Sequence, residues 1–427
     1  MVESNAMSYA LSDSGIAPNS FRWKTALVVL IAVAVRLLFV VAIEKGVVRT
    51  LSNPDSSGYL SCAYNLSTGV GFAQAVDDQK PFSRPVQFSA WRPPLYPGIL
   101  AIAFQFSRDA LFLRLLQVSF AGLSAYFFLR LAFILFGEWP ALVAGMVFAL
   151  YPPLILYSAD LGTETPFLLL LTAALLVFYS ASRNISVPRV FCLGVLAGLA
   201  ALCRPSGLVL VPSLALSIWI RTTDWKRTIR LAAVLGLAAS MIVLPWTYRN
   251  YRLFHKFVLI STNGGATLWA GAYLRLVPGA TLAEVGYTQH GALPEMSEIE
   301  RERYYYRQAF EILDHSPRRF GKMFVLNFVA MYTLVPSETY HNAGDRLVYS
   351  ISYIPLLVSG LGGFWLLRRR WRELSLLWTF IVANTAFYCL YLAAIRYRVP
   401  TIDPILMLGS GVCLCCFVGY RVGIASS

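Results

Sequence analysis

The sequence predicts an all-α polytopic membrane protein, and three observations carry that prediction. Of its 427 residues 57% are hydrophobic and 14% charged, more apolar surface than a water-soluble chain of ordinary composition can hide. The apolar residues fall in repeated stretches of about 17–25, the length a helix needs to cross roughly 30 Å of hydrocarbon with its backbone satisfied internally. Lysines and arginines gather in short clusters between these stretches, the bias that keeps short loops on the cytoplasmic side.

In chain order, residues 1–20 are polar and Ser-rich and read as a disordered cytoplasmic tail. Spans fall near 24–44, 111–136, 139–157, 164–181, 189–203, 206–220, 229–247, 347–367, 374–393 and 399–419. The first is too long for a secretory leader, carries Arg36 in its interior and lacks a small-x-small cleavage site, so it reads as a signal anchor. Arg22 and Lys24, Arg183 and Arg189, Lys226 to Arg230, and Arg368 to Arg372 share one side only if 95–107 and 320–336 do not cross. Those two segments read as re-entrant or surface helices. Four regions follow: the tail; a transmembrane module 21–247 with an outer loop 45–110; an outer-face, periplasmic region 248–346; and C-terminal spans 347–427. Within the outer region, Glu298 to Leu313 is patterned as an amphipathic helix with Tyr305, Ala309, Ile312 and Leu313 on one side.

The net charge of +14 reports topology and contact with anionic lipid headgroups. No soluble module carries aromatic–basic clusters, so nucleic acid is not an expected partner. The seven cysteines form no disulfide framework, and Cys413, Cys415 and Cys416 inside an apolar helix read as packing. His255, His290, His315 and His341 have no ligand spacing, so no metal site is assigned.

Chemistry is expected at the outer ends of the spans. Asn53 and Pro54 form a helix-start signal, which puts Asp55 in a first turn with Tyr59 following on the same face. Asp55 then serves either the helix dipole or a reaction. Arg92 precedes two prolines, Glu164 opens a span and Arg204 ends one, and the topology puts all four at one depth. Arginine offers a planar, permanent charge for phosphate oxygens, although each taken alone also reads as a snorkelling headgroup contact. Arg36, deep in the first span, reads as a structural pair or a tether for a carboxylate or phosphate. Asn263-Gly264-Gly265 reads as a turn or a substrate-lining loop. Arg396 and Arg398 read as phosphate contacts or interfacial anchors.

Asp55-x-x-x-Tyr59, Arg92-Pro93-Pro94-Leu95-Tyr96, Tyr151-Pro152-Pro153 leading to Glu164, Arg204-Pro205, Pro245 to Tyr251, Ser261 to Gly265, and Arg396 to Pro400 occur in that order. Together they resemble the membrane glycosyltransferases of GT-C fold, in the aminoarabinose-transferase-like and protein-mannosyltransferase-like branch with its bacterial Rgt-type members. The resemblance implies a bundle of about 10–12 transmembrane helices with juxtamembrane helices on the outer face. It also implies transfer of a sugar from a polyprenyl-phosphate donor to a lipid, glycan or protein acceptor outside the bacterial inner membrane, usually with inversion. By the same resemblance Asp55 is the general base and Glu164 a second acid near the sugar. Arg92 and Arg204 meet the donor phosphate by the same resemblance; on the residues alone, Arg396 is a further candidate phosphate contact, and Tyr59 and Asn263 are candidates for lining the substrate. Many relatives have a second acid after the aspartate; here it is Ser56, which weakens the case for a divalent cation.

The residue types suit that chemistry. A hydroxyl attacking an acetal carbon needs a base, while a polyprenyl phosphate leaves as an anion that fixed positive charge stabilises. A retaining hydrolase would need a close carboxylate pair, so Glu164 and Asp55 are expected to stand more than about 5 Å apart. The alternatives are a transporter or flippase of a polyprenyl-linked glycolipid, for which the repeated halves and midplane site are missing from the sequence, and an inactive scaffold.

Overall fold

A computed structural model describes residues 19–46, 55–75, 80–83, 86–180, 185–281, 284–285, 296–335 and 343–420. The first helices are α1 (Asn19–Glu44), α2 (Ser56–Ser67), α3 (Leu95–Ala103), α4 (Ala110–Phe136), α5 (Glu138–Leu150) and α6 (Pro152–Ala159). They continue with α7 (Glu164–Tyr179), α8 (Val187–Cys203), a 3-10 turn (Pro205–Val209), α9 (Leu210–Thr222), α10 (Trp225–Phe254) and α11 (Gly264–Leu276). The chain ends with α12 (Glu298–Leu313), α13 (Pro317–Tyr332), α14 (Ala343–Leu366), α15 (Ser375–Leu390), α16 (Ile395–Arg398) and α17 (Asp403–Phe417).

Among the described residues five helical segments are long and apolar enough to cross a membrane, α5 and α6 form one bent pair, and α7, α8, α15 and α17 are shorter apolar helices. Together these coincide with the ten expected spans, and the chain is an integral membrane protein. The expected span near 139–157 is not straight: it bends by 53° between α5 and α6. Pro152 and Pro153 have no N–H for the carbonyls of Phe148 and Ala149. Arg36 supplies the missing donors, through Nη1 to Ala149 O at 3.0 Å and Nη2 to Phe148 O at 3.4 Å. Its place in the first span is therefore structural, not a phosphate tether.

Small residues draw the helices together, as apolar surroundings require. A Cβ at Gly194 would stand 2.5 Å from Leu235 O, and one at Gly198 2.9 Å from Ala239 O, so α8 lies directly on α10. At one end of the bundle Lys24 pairs with Glu138 at 2.6 Å and Arg370 donates to Leu135 O at 3.2 Å. At the other end Arg114 pairs with Glu44. The basic clusters and the chemistry-bearing residues thus occupy opposite ends.

The loop after α1 holds α2 and a two-stranded antiparallel ribbon, β1 (Ala73–Ala75) and β2 (Val86–Phe88), with Gln74 opposite Gln87. Three-residue strands leave too little alternation to be read from sequence. Of the expected tail only Asn19 and Ser20 lie among the described residues, and both belong to α1. Beyond the long helices, α11, α12 and α13 enclose a core of their own, with Trp91, Trp269, Tyr305, Ala309, Leu313 and Met323 at its centre. The amphipathic helix forms as patterned, closed by a capping box between Ser297 and Glu300.

Candidate active site

Asp55 is the N-cap residue of α2, and its side chain makes no capping hydrogen bond. The expected start signal, Asn53 and Pro54, lies outside the described residues. The Asp55 carboxylate accepts instead from Arg92 Nη1 at 2.6 Å and from Arg396 Nη2 at 2.9 Å. Arg92 fits because α2 has no side chain where the guanidinium lies: a Cβ at Gly58 would stand 2.7 Å from Arg92 Nε. The guanidinium carbon of Arg92 is 5.1 Å from the Tyr59 ring centre, and Tyr59 meets Tyr96 edge-on at 5.4 Å. Gln117 Nε2 pins the Tyr96 hydroxyl at 2.9 Å. Tyr59 is buried, so it supports Arg92 from behind.

Glu164 opens α7, and Arg204 is the extended residue between α8 and the 3-10 turn. Arg204 Nη1 lies 3.1 Å from Glu164 Oε1. Arg396 donates to the same oxygen through Nη2 at 3.0 Å and Nε at 3.2 Å. Because one Nη2 serves both acids, their nearest oxygens lie within about 6 Å of each other, close to the spacing of a retaining pair. A guanidinium fills the gap between them. Side-chain exposure separates the two acids further: Asp55 is 27% exposed and Arg396 24%, but Glu164 only 1%. Asp55 and Arg396 are thus partly exposed, while Glu164 and Arg204 are buried.

Burial alone pushes the Asp55 carboxyl up, but the charges and hydrogen bonds of Arg92 and Arg396 outweigh it. They hold the group well below the usual carboxylate range, so at neutral pH it is ionised and clamped. Two carboxylates among three guanidiniums leave the cluster with positive charge. That suits an anion and repels a divalent cation. Ser56, where a second acid would help hold a metal, turns away to donate to Leu161 O at 3.0 Å. The residues do not fit a divalent cation.

Arg398, two residues after Arg396 in α16, does not join the cluster. Its Nε meets Asp403 Oδ1 at 2.9 Å, and Tyr151 donates to Asp403 Oδ2 at 2.9 Å. Both charges are fully buried, so this pair fastens α17 to the α5–α6 break and meets no lipid. Asn263 is not joined to the cluster by its own side chain, whose Oδ1 accepts from Ser261 Oγ at 2.9 Å. Gly264 and Gly265 start α11 instead of forming a turn, and a Cβ on Gly265 would collide with the backbone oxygen of Glu302. His290 and His341 fall outside the described residues.

Several contributors lie in motifs that the sequence singles out, with no role assigned to them there. Tyr397 stacks on Tyr388 at 4.5 Å and lies under both Arg204 and Arg396. Arg249, on α10, donates to Ser89 O at 2.8 Å and Phe72 O at 2.9 Å, fastening the ribbon. Trp246, Thr247 and Asn250 bind the carbonyls of residues 258–260. That accounts for the polar spacing between Pro245 and Tyr251.

Residues 91–248 match the family model described as dolichyl-phosphate-mannose-protein mannosyltransferase. Among solved structures the chain is similar to the oligosaccharyltransferase of Archaeoglobus fulgidus tethered with an acceptor peptide. There the TM-score is 0.58 and the identity 14%, over 95% of this chain and 50% of that one. The oligosaccharyltransferase AglB from the same organism, in complex with an inhibitory peptide and a dolichol-phosphate, gives 0.57 at 14% identity over 94% and 50%. ArnT from Cupriavidus metallidurans bound to undecaprenyl phosphate gives 0.45 at 16% identity over 91% and 77%. The chain spans about half the length of the oligosaccharyltransferase. No curated protein matches the sequence. The arrangement of the helical bundle is that of the GT-C fold.

Proposed function

We propose that the chain transfers a hexose or pentose from a polyprenyl-phosphate donor to a hydroxyl of a lipid, glycan or protein acceptor. The reaction takes place at the outer face of the membrane, in a bacterial cell the cytoplasmic membrane, and inverts the anomeric carbon. The observation that carries this reading is Arg396, whose one guanidinium joins Asp55 to Glu164 within a cluster of net positive charge. The matched family name specifies a polyprenyl-type phosphate sugar, and the structurally similar AglB binds a dolichol-phosphate.

In this reading the donor phosphate competes with Asp55 for Arg92 and Arg396. As the phosphate takes those guanidiniums, the carboxylate loses the charges that hold its affinity for protons down, and it becomes a stronger base. Asp55 then accepts the acceptor hydroxyl proton while that oxygen bonds to the anomeric carbon. The bond from that carbon to the phosphate oxygen breaks, and its electron pair leaves with the polyprenyl phosphate. Arg92 and Arg396 stabilise the departing charge, which counts for more beside low-dielectric lipid. Glu164, buried beside Arg396, holds Arg396 and Arg204 in place and remains the second acid near the sugar. A cationic set confined to the outer end suits transfer there better than carriage of a glycolipid across the bilayer.

The test is reconstitution of the purified chain in vesicles with polyprenyl-phosphate sugars, with mass spectrometry of the products. Release of polyprenyl phosphate together with a newly glycosylated acceptor supports the reading; movement of intact donor between leaflets without release contradicts it.

A further inference from the structure

Two short non-helical segments deliver the arginines that hold Asp55, and the outer-face helices grip both. The first is Ser89 to Trp91, leading into Arg92. Ala90 N–H donates to Glu298 Oε1 at 2.8 Å, and Thr262 Oγ1 donates to the same oxygen. Thr262 N–H returns a bond to Ala90 O at 3.1 Å. Arg301, one turn along α12 from Glu298, lies 5.1 Å from the Trp91 ring centre. Glu298 is 3% exposed, and a carboxylate so buried is stable only with such partners. The second segment is Tyr391 to Ala394, leading into Arg396. Asn327, fully buried on α13, donates through Nδ2 to Cys389 O at 3.2 Å and Tyr391 O at 3.0 Å, and accepts from Ala393 N–H at 3.4 Å. Arg275 of α11 donates to Asn327 Oδ1 at 3.0 Å and Ala393 O at 3.0 Å. A Cβ at Gly271 would collide with Tyr391 O, so α11 touches this segment backbone to backbone.

We propose that the outer-face helices position the Asp55 clamp through two separate handles, Glu298 acting on Arg92 and Asn327 acting on Arg396. Neither handle touches the carboxylate; each fixes the backbone from which a guanidinium reaches it. This inference rests on the reading that Arg92 and Arg396 receive the donor phosphate. It gives the outer-face helices a part in donor binding, so that a substrate moving those helices also moves the clamp.

Paired substitutions separate a handle from general loosening. The affinity of the purified full chain for undecaprenyl phosphate, and the donor KM and kcat, are measured for Glu298→Ala and Asn327→Ala. Each is made in three backgrounds: otherwise unaltered, Arg92→Ala and Arg396→Ala. Glu298→Ala is expected to weaken donor binding about tenfold alone and less than about twofold once Arg92 is gone, with its effect undiminished when Arg396 is gone. Asn327→Ala is expected to show the converse. Glu298→Gln, which keeps an oxygen for Ala90 N–H, should restore most of the loss. Thr262→Val offers a milder probe of the same handle where Glu298→Ala does not fold, with the same dependence on Arg92. Equal losses in all three backgrounds overturn the inference and leave the function standing. Normal donor binding by Arg92→Ala and Arg396→Ala overturns the clamp reading and the inference with it.

Discussion

Arg396 Nη2 donates to Asp55 Oδ2 at 2.9 Å and to Glu164 Oε1 at 3.0 Å, so one guanidinium joins the exposed acid to the buried one. Replacing it by alanine leaves two carboxylates facing each other and removes half of the proposed phosphate clamp. Arg396→Ala should lower kcat/KM by about 10²–10³-fold. Glu164→Gln acts differently, because it strips the counter-charge from the buried Arg204 and costs about 3 kcal/mol of stability. Thermal unfolding beside steady-state kinetics separates the two effects.

Gly58 leaves room for Arg92, since a Cβ there would stand 2.7 Å from Arg92 Nε. Alanine favours the helix more than glycine by about 1 kcal/mol, so Gly58→Ala should not lower the melting temperature much. It should raise the donor KM about tenfold by displacing the guanidinium. Unchanged KM would mean that the position of Arg92 is immaterial to the donor.

Arg36 holds the carbonyls of Phe148 and Ala149 at the α5–α6 break. Arg36→Met leaves both without a donor in an apolar interior and should cost about 2–4 kcal/mol. Transfer per folded molecule should stay within about twofold, because no step runs through Arg36. A large loss of turnover in well-folded protein would restore the tether reading.

Glu302, half-buried on α12, has its pKa pushed up to about 7 by burial and by the neighbouring charge of Glu298. A carboxyl raised on folding binds its proton more tightly in the folded state, so its contribution is fully present below the ordinary carboxylate range and is lost as pH rises through 7. Thermal stability should therefore fall between about pH 5 and pH 8, and Glu302→Gln should flatten that slope. The same slope in the variant would assign the effect elsewhere.

The membrane class and ten apolar segments were legible in the sequence because hydrocarbon thickness and backbone satisfaction leave few solutions. The grouping of Asp55, Arg92, Glu164 and Arg204 was legible because the span assignment put all four at the same ends of the helices, away from the basic clusters. The bend after Tyr151 had its signal in Pro152 and Pro153, but the donors that Arg36 supplies there from another helix had none. Gly58, Glu298 and Asn327 were missed for a related reason. Their partners lie far along the chain, as with Glu298 and Ala90, which are 208 positions apart, and no periodicity marks such contacts. Gly58 left a faint trace as a glycine inside an expected helix.

The most direct measurement is the turnover of Asp55→Asn with a polyprenyl-phosphate sugar, alongside its folding and its affinity for undecaprenyl phosphate. The amide keeps the shape of the side chain but cannot take a proton from the acceptor. The account predicts a fall in kcat of about 10²–10⁴-fold, with a folded protein that still binds the lipid phosphate. Turnover equal to that of the unaltered chain would contradict it.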